Sequence, residues 1–457
     1  MPYVPNIPLN SKIQWQEKIS PINIFGIKKF AIDFLKLILS FCLIFNLSFT
    51  ANPALSTGRI AMVVMLAIYG KATFTLVVKF AKNFKLSISF FILPLPLALV
   101  WYAVNGAIDA VMISRVVWFL IYSIIGSFLY MKMYRMNLSN AMFSYMIAIF
   151  IQAAFVYISV LSPDFRVWVD AALQNGGNID FSEGIRFSGL TNGGGANLSV
   201  QLSLGVAAAF ILFSQSSNLL KKCTLILTAL LIAFSTIFVG RTGMYLSFLT
   251  LFCFVFLLKR SLLLIVLAFA LIWLSSSYIS SMNFNDLEPN NSEARLDKTF
   301  DWAFDFLLSG ESSSASSLTS ELANLRPLQT LDLLIGSGRV SNPDGSNYCG
   351  HDSGYIHTLY AIGLPLTIFF YSALLWIYLQ LLSPVSGMQK VIGLMLVGLV
   401  FIVEIKEPFV FKYTLPFFVL TYVYLARWMT VTPTVARNFL SNSTHKRRYL
   451  FLPSELN

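Results

Sequence analysis

The residues of this chain that can do acid–base chemistry gather at the end of one polar stretch, residues 281–355. Two of its three histidines, His351 and His357, lie at or just beyond that end, and Asp352 follows the first of them. An imidazole can accept a hydroxyl proton near neutral pH. We therefore predict that His351 is a general base with the Asp352 carboxylate beside it. The alternative is a structural or exposed loop histidine.

Three arginines in glycine-containing segments indicate an anion site. Arg186 precedes a run of three glycines (193–195), Arg241 stands in a Gly-Arg-Thr-Gly turn, and Arg339 follows Gly-Ser-Gly. Glycine lets backbone approach a ligand closely, and the planar guanidinium group binds phosphate oxygens in pairs. We predict that the three bind phosphate or pyrophosphate. The alternative for each is a surface arginine paired with Asp or Glu.

A second charged cluster, containing Glu404, Lys406 and Glu407, interrupts the apolar sequence near the C-terminus. It can supply a further base or an orienting charge, or it can simply cap a turn between two membrane spans. The sequence has no His, Cys, Asp or Glu spacing typical of a metal site. We predict neither a metal nor a cofactor.

Membrane helices must position these residues. The 457-residue chain is 56% hydrophobic and 12% charged, and its mean hydropathy is +0.71. Apolar runs of about 20 residues recur, the length at which an α-helix crosses a hydrocarbon core. Because irregular backbone cannot face lipid, we predict an all-α integral membrane protein. The net charge of +11 comes from Lys and Arg at the inward ends of the spans, which orients the protein and does not indicate nucleic acid.

We predict about twelve transmembrane helices, both termini in the cytoplasm and one large periplasmic loop. The first span is Phe30–Phe49 and the tenth is Ile356–Leu382. The predicted segments are a cytoplasmic N-terminal segment (1–29), nine spans with a periplasmic loop near 162–196 (30–280), the large periplasmic loop (281–355), three spans (356–427) and a basic cytoplasmic tail (428–457).

Two basic residues inside the spans are further candidates, because charge within a bilayer is costly and is often functional. Lys71 lies at the centre of the second span, and we predict that it faces a cavity or a paired acid. Arg115 lies near the outer end of the fourth span. For Arg115, a functional charge and a side chain that extends to the outer interface remain alternatives.

The motifs resemble those of the bacterial O-antigen polymerases and ligases. Arg186–Asn197 resembles the family's Arg-x-x-Gly segment with its following Asn-containing stretch, and Arg241-Thr-Gly resembles its Ser-Arg-Ser/Thr turn. His351-Asp-Ser-Gly-Tyr355 is similar to its His-Asn-x-Tyr-Leu segment at the exit of the large loop, with Asp in place of Asn and one extra residue before Tyr355. An Arg-x10-Gly spacing, found in some polymerases, occurs from Arg166 and from Arg339.

The resemblance implies a Wzy-type polymerase, a metal-independent glycosyltransferase of GT-C-like architecture in the bacterial inner membrane with a periplasmic active face. Its substrates would be undecaprenyl-pyrophosphate-linked oligosaccharides in membrane lipid, and its partners a chain-length regulator and a flippase. An O-antigen ligase and a transporter or flippase of lipid-linked oligosaccharide are the alternatives. The roles implied are base for His351, orienting carboxylate for Asp352 or Glu404, and pyrophosphate or sugar binding for Arg186, Arg241, Arg339, Arg166, Lys406 and Tyr355.

Overall fold

The computed structural model describes residues 24–49, 52–104, 110–173, 187–191, 195–258, 325–327, 330–342 and 347–443. These residues are almost entirely helical, with one two-stranded antiparallel sheet, β1 (Ser48–Phe49) and β2 (Asn52–Ser56). The α-helices are α1 (Ile24–Phe45), α2 (Thr57–Asn83), α3 (Lys85–Ile92), α4 (Pro94–Val104), α5 (Val111–Trp118), α6 (Ser127–Met133), α7 (Leu138–Leu161), α8 (Pro163–Ala172), α9 (Gly195–Gln215), α10 (Leu219–Ile237), α11 (Arg241–Leu258), α12 (Thr330–Ile335), α13 (Gly354–Ile362), α14 (Leu364–Leu382), α15 (Gly387–Glu404) and α16 (Thr414–Ser443).

Within the described residues, nine helical segments are long and apolar enough to cross a membrane. They are Thr57–Asn83, Lys85–Val104, Val111–Met133, Leu138–Leu161, Gly195–Gln215, Leu219–Ile237, Leu364–Leu382, Gly387–Glu404 and Thr414–Thr432. The protein is therefore a multi-pass, all-α membrane protein, as the composition predicts. Helices α1 and α11 occupy the predicted first and eighth spans, and the predicted ninth span (261–280) lies outside the described residues.

The prediction of one continuous tenth span is wrong. The chain forms α13, breaks at Gly363 in the left-handed region (φ +78°) and continues as α14, with Pro365 in the first turn. A Cβ atom at Gly363 would lie 2.5 Å from the carbonyl oxygen of Leu334. Because no side chain stands there, the backbone at the end of α12 packs directly against the break.

Three further details differ from the predictions. Helix α1 ends at Phe45, four residues early, because Asn46 is left-handed (φ +46°) and turns the chain into the β1–β2 hairpin. Helix α16 continues past Arg427, so residues 428–443 of the predicted tail are helical. Lys71 is exposed on α2, and within the described residues it forms no salt bridge with an acid.

Small residues allow close packing around α9, which is mostly buried. A Cβ atom at Gly205 would lie 2.3 Å from Cγ2 of Ile149 on α7, and one at Gly243 would lie 2.0 Å from the carbonyl oxygen of Ser199. The Gly243 N–H donates to the Ser199 hydroxyl at 3.0 Å. Glycine at helix contacts lets backbones approach in a membrane, where van der Waals packing drives association. Helix α9 is thus clamped between α7 and α11.

A π-helical segment, Phe119–Gly126, interrupts the fourth span between α5 and α6. Ser123 and Ser127 donate hydrogen bonds to the carbonyl oxygens of Tyr413 (3.3 Å) and Phe417 (3.1 Å). These bonds fasten the π-helical segment and the first residue of α6 to the chain at the start of α16. Short π-helical segments within helices are frequent at functional sites, and this one begins beside a cavity.

Candidate functional site

The segment 347–353 carries both of the predicted catalytic residues of the polar stretch. His351 is only 5% exposed, and its Nδ1 atom accepts a hydrogen bond from the Ser353 N–H at 2.9 Å. Because Nδ1 is an acceptor, the neutral ring carries its proton on Nε2. The half-buried Asp352 instead accepts a hydrogen bond from Asn347 at 2.5 Å through Oδ1. The group at Nδ1 is therefore a backbone amide and not the carboxylate of Asp352.

Glu404 is fully buried at the end of α15. Its Oε1 atom accepts the Tyr371 hydroxyl at 2.6 Å, and its Oε2 atom accepts the Val410 N–H at 2.8 Å. The Ser353 hydroxyl donates to the Glu404 backbone carbonyl at 3.5 Å. The carboxylate thus joins the turn 405–413 to α14, and its partners show that it positions this turn and not the imidazole of His351.

Gly354 provides the space that Glu404 occupies. A Cβ atom at position 354 would lie 2.2 Å from Glu404 Oε1 and 2.6 Å from the Cα atom of Pro408. The turn 405–413 therefore rests directly on the first residue of α13. The absence of a side chain at Gly354 is a condition for the contact between the histidine segment and the turn.

Tyr355, predicted to bind substrate, holds α13 against α15. Its hydroxyl donates to the Phe401 carbonyl at 2.9 Å, and its ring centroid lies 4.7 Å from that of Tyr371. Burial, followed by the negative charge of Glu404, raises the pKa of Tyr355 to about 12. The phenol is thus a stable hydrogen-bond donor within the helix packing.

A second buried imidazole, His357, lies one turn into α13. It is 3% exposed, and its Nδ1 atom makes no hydrogen bond within the described residues. Burial, followed by the positive charge of Arg115, lowers the pKa of His357 to about 4. Arg115 also lowers the pKa of Cys349, although burial of that thiol raises it on balance. Arg115 and His357 therefore lie close enough to interact electrostatically.

Arg339 and a second arginine, Arg326, both contact the ring of Tyr348. The guanidinium carbons are 5.6 Å (Arg339) and 4.3 Å (Arg326) from the centroid of Tyr348. The backbone N–H of Arg326 donates to the Cys349 carbonyl at 3.3 Å, which joins Arg326 to the segment 347–353. Neither guanidinium group forms a salt bridge with another residue in the described part of the chain. Two cations held this way form a candidate anion site.

The other predicted substrate-binding residues lie on separate elements. The guanidinium carbon of Arg166, on α8, is 5.4 Å from the Phe187 ring centroid. Arg241 begins α11, Lys406 is exposed on the turn 405–413, and Arg186 lies outside the described residues. The structure thus brings Arg339 to the histidine segment and places Arg166 and Arg241 beside α7 and α9.

A cavity of about 420 Å³ lies on the other side of the turn 405–413. Aromatic, amide and cationic side chains line it. They are Phe45, Asn46, Arg59, Trp118, Tyr122, Thr191, Asn197, Leu198, Gln201, Phe411, Lys412 and Tyr413. Because Val410 bonds to Glu404 while Phe411 and Lys412 line the cavity, the turn is the wall between the two sites.

Three basic residues of these sites, Arg326, Arg59 and Lys412, are not distinguished by the sequence. Each is one basic residue among 32, and its local sequence contains no motif that would distinguish it. The one usable signal was position, since Arg59 and Lys412 flank apolar runs at predicted outer turns.

No family model matches the chain, and no curated protein matches it. The site itself offers three chemical capacities: a buried imidazole with Nε2–H as donor, a half-buried carboxylate, and two guanidinium groups at the ring of Tyr348. Together they can deprotonate a hydroxyl group and stabilise a departing anion.

Proposed function

We propose that the protein is a membrane glycosyltransferase that polymerises undecaprenyl-pyrophosphate-linked oligosaccharide repeat units into O-antigen or a related surface polysaccharide. The observation that supports this best is the segment 347–353, which joins an imidazole, a carboxylate and, through Tyr348, two guanidinium groups. Transfer from a lipid pyrophosphate needs a base for the attacking hydroxyl and positive charge for the leaving group.

Positive charge for the leaving group comes from Arg339 and Arg326. Both guanidinium groups contact the ring of Tyr348, and a guanidinium group binds pyrophosphate oxygens in pairs. Arg241 and Arg186 are further pyrophosphate ligands by resemblance to the family. The fixed arginines take the part that a metal plays in other transferases, so the proposed reaction is metal-independent.

Asp352 is the general base in this proposal, and His351 is a donor. The Oδ1 atom of Asp352 is bonded to Asn347, which leaves Oδ2 for the acceptor hydroxyl. The hydroxyl oxygen bonds to the anomeric carbon as its proton passes to Asp352. The bond from that carbon to pyrophosphate breaks, and undecaprenyl pyrophosphate leaves with the electron pair. The Nε2–H of His351 donates to the departing oxygen. This reverses the role that the sequence predicts for His351, because Nδ1 is already an acceptor.

The proposal includes twelve spans, a GT-C-like arrangement, and a periplasmic active face in the inner membrane. The large loop would then present Arg339 to the substrate from the outer side. A chain-length regulator and a flippase are the expected partners.

A transporter of lipid-linked oligosaccharide is the second candidate. Two observations favour it: the break at Gly363 and the π-helical segment Phe119–Gly126. Carriers often bind their substrates at interrupted helices. An O-antigen ligase, which would use the same chemistry with lipid A-core as acceptor, is the other alternative.

The test is the lipopolysaccharide gel of a strain deleted for this gene and complemented with wild-type protein or with Arg339→Ala. Core plus a single repeat unit in the deletion, with a ladder restored by the wild type and not by Arg339→Ala, is the expected result. An intact ladder in the deletion refutes polymerase function for this polymer. Complete loss of attached sugar indicates a ligase or flippase instead.

A further inference from the structure

We propose that two copies of the chain form a symmetric dimer in the membrane, with Lys71 of each copy bonded to Asp33 of the other. The contact uses the α1–α2 surface, which we define by its exposed residues Phe30, Asp33 and Phe34 on α1 and Val63, Lys71 and Phe74 on α2. This inference concerns the assembly of the protein and does not depend on the proposed reaction.

Lys71 is a charged side chain on the exposed side of an apolar helix. Val63, Ala67 and Lys71 follow one another at intervals of four residues, so they lie on one face of α2, and all three are exposed. Lys71 is near the middle of the 27-residue helix, away from the ends at which lysines extend to the membrane surface. It forms no salt bridge with any described residue. Because an unpaired charge within a bilayer is costly, this face of α2 needs a partner that supplies a carboxylate.

Asp33 lies at about the same depth as Lys71. The β1–β2 hairpin brings the end of α1 and the start of α2 to one level, because Leu47 and Thr57 exchange hydrogen bonds of 2.8 Å. Asp33 lies about 18 Å before the end of α1 at Phe45, and Lys71 lies about 21 Å after the start of α2 at Thr57. A hydrocarbon core is about 30 Å thick. Both charges are therefore inside it.

Asp33 is the carboxylate that can meet Lys71. In the nine spanning segments, α1, α11 and residues 261–280, the only acidic residues are Asp33 and Glu404. Glu404 is buried, and both of its oxygens are bonded within its own copy. The side chain of Asp33 is 57% exposed and bonds to Lys36 through Oδ1 at 3.4 Å. Its Oδ2 atom can bind a second cation, since a carboxylate accepts several hydrogen bonds.

A two-fold axis parallel to the helices supplies both contacts at once. Asp33 and Lys71 form no salt bridge with each other within one copy. They stand on two helices that pack together, so a second copy turned by 180° places its α1 beside α2 and its α2 beside α1. Each Lys71 then faces an Asp33. A surface with one such cation and one such anion at the same depth is self-complementary.

Apolar side chains surround these charges. The residues 29–35 are all exposed, so this part of α1 presents side chains on every side. Phe30 and Phe34 stack with ring centroids 6.2 Å apart, and Phe74 is exposed on α2. Beside Lys71, a Cβ atom at Gly70 would lie 4.0 Å from its nearest neighbouring atom, which leaves room for a second helix to approach. The surface thus offers apolar contact area to a second copy as well as charge.

The test is energy transfer between full-length copies that carry a donor or an acceptor at the C-terminus and are reconstituted together in liposomes. We expect transfer in the wild type that unlabelled copies reduce by competition. Lys71→Asp and Asp33→Lys should each weaken dimerisation at least about tenfold, because like charges then face each other. Lys79→Asp, at an exposed lysine of α2 outside the α1–α2 surface, is the matched control and should dimerise as the wild type does.

A mixture of the two charge reversals distinguishes a contact between copies from one within a copy. When a Lys71→Asp copy meets an Asp33→Lys copy, opposite charges face each other at both contacts, so the mixture should regain the wild-type transfer. A salt bridge between α1 and α2 of the same copy predicts no recovery.

Melting curves check that each variant is folded. A wild-type protein without specific transfer, a charge reversal that dimerises like the wild type, or a mixture of folded variants that does not recover overturns the proposal. Should a charge reversal not fold, Lys71→Met and Asp33→Asn replace it, and undiminished dimerisation in both overturns the proposal.

Discussion

Replacing Gly354 with Ala tests whether the histidine segment depends on its contact with the turn 405–413. The added methyl group would lie 2.2 Å from Glu404 Oε1 and 2.6 Å from the Cα atom of Pro408. The carboxylate cannot simply swing away, because Tyr371 and Val410 hold both of its oxygens. The turn and α13 must therefore separate.

The expected cost follows from these contacts. Overpacking a tight site costs about 1–3 kcal/mol. Losing the hydrogen bonds that satisfy a buried polar group adds about 1–3 kcal/mol. We expect Gly354→Ala to lower the free energy of unfolding by about 4 kcal/mol, or about 4 °C in melting temperature for a chain of this length. Helix propensity favours Ala over Gly by up to about 1 kcal/mol. Gly354→Ala is therefore destabilising only if the steric clash costs more than this gain.

The assay is thermal unfolding of purified protein, together with the lipopolysaccharide ladder. Gly398→Ala is the matched control, since it lies within α15 and a Cβ atom there would meet nothing within 4 Å. It should leave stability unchanged or slightly higher. If Gly354→Ala has the same melting temperature as Gly398→Ala and keeps the lipopolysaccharide ladder, neither stability nor function depends on the contact between α13 and the turn 405–413.

Two further predictions concern the histidines. Burial lowers the pKa of His357 from 6.5 to about 4, so the unfolded chain binds the proton first. The contribution of neutral His357 to the free energy of unfolding should be fully present above about pH 6.5 and should fall by about 3 kcal/mol as the pH drops to 4. Melting curves of His357→Asn should show a smaller loss of stability over the same pH range. Equal losses in the variant and the wild type would contradict the assignment. For His351, the donor role predicts that His351→Gln, whose amide can donate in place of Nε2–H, keeps part of the polymerisation that His351→Ala loses. Equal loss in both variants would favour the role of base.

Much of the fold follows from local sequence. Span positions are set by runs of apolar residues long enough to cross a bilayer, a property that each segment carries by itself. The break in the predicted tenth span had a local signal, since Gly363 and Pro365 both disfavour a continuous helix. Its position was settled by tertiary contact, because the end of α12 lies against Gly363. Residue-by-residue hydropathy contains no information about such a contact.

The sequence predicts only those parts of the candidate site whose residues are adjacent in the chain. His351 and Asp352 are neighbours in sequence, so any fold keeps them together. The role of Glu404 could not be predicted, because its partners Tyr371 and Val410 become neighbours only when α14 and the turn 405–413 meet. Arg326 was missed for the same reason, since it reaches the site through the ring of Tyr348.

The break at Gly363 also explains how the segment that carries Arg339 is anchored to α13. A helix end leaves carbonyl groups unsatisfied, and here Ser337 and Gly338 donate their N–H groups to the carbonyls of Tyr360 (2.7 Å) and Ala361 (3.1 Å). Arg339 is the next residue. A continuous tenth span would use those carbonyls within its own helix and leave the loop without an anchor. The interrupted helix therefore fixes the backbone that positions Arg339. The break at Gly363, which the predicted tenth span lacks, thus helps to form the candidate site around Arg339 and His351.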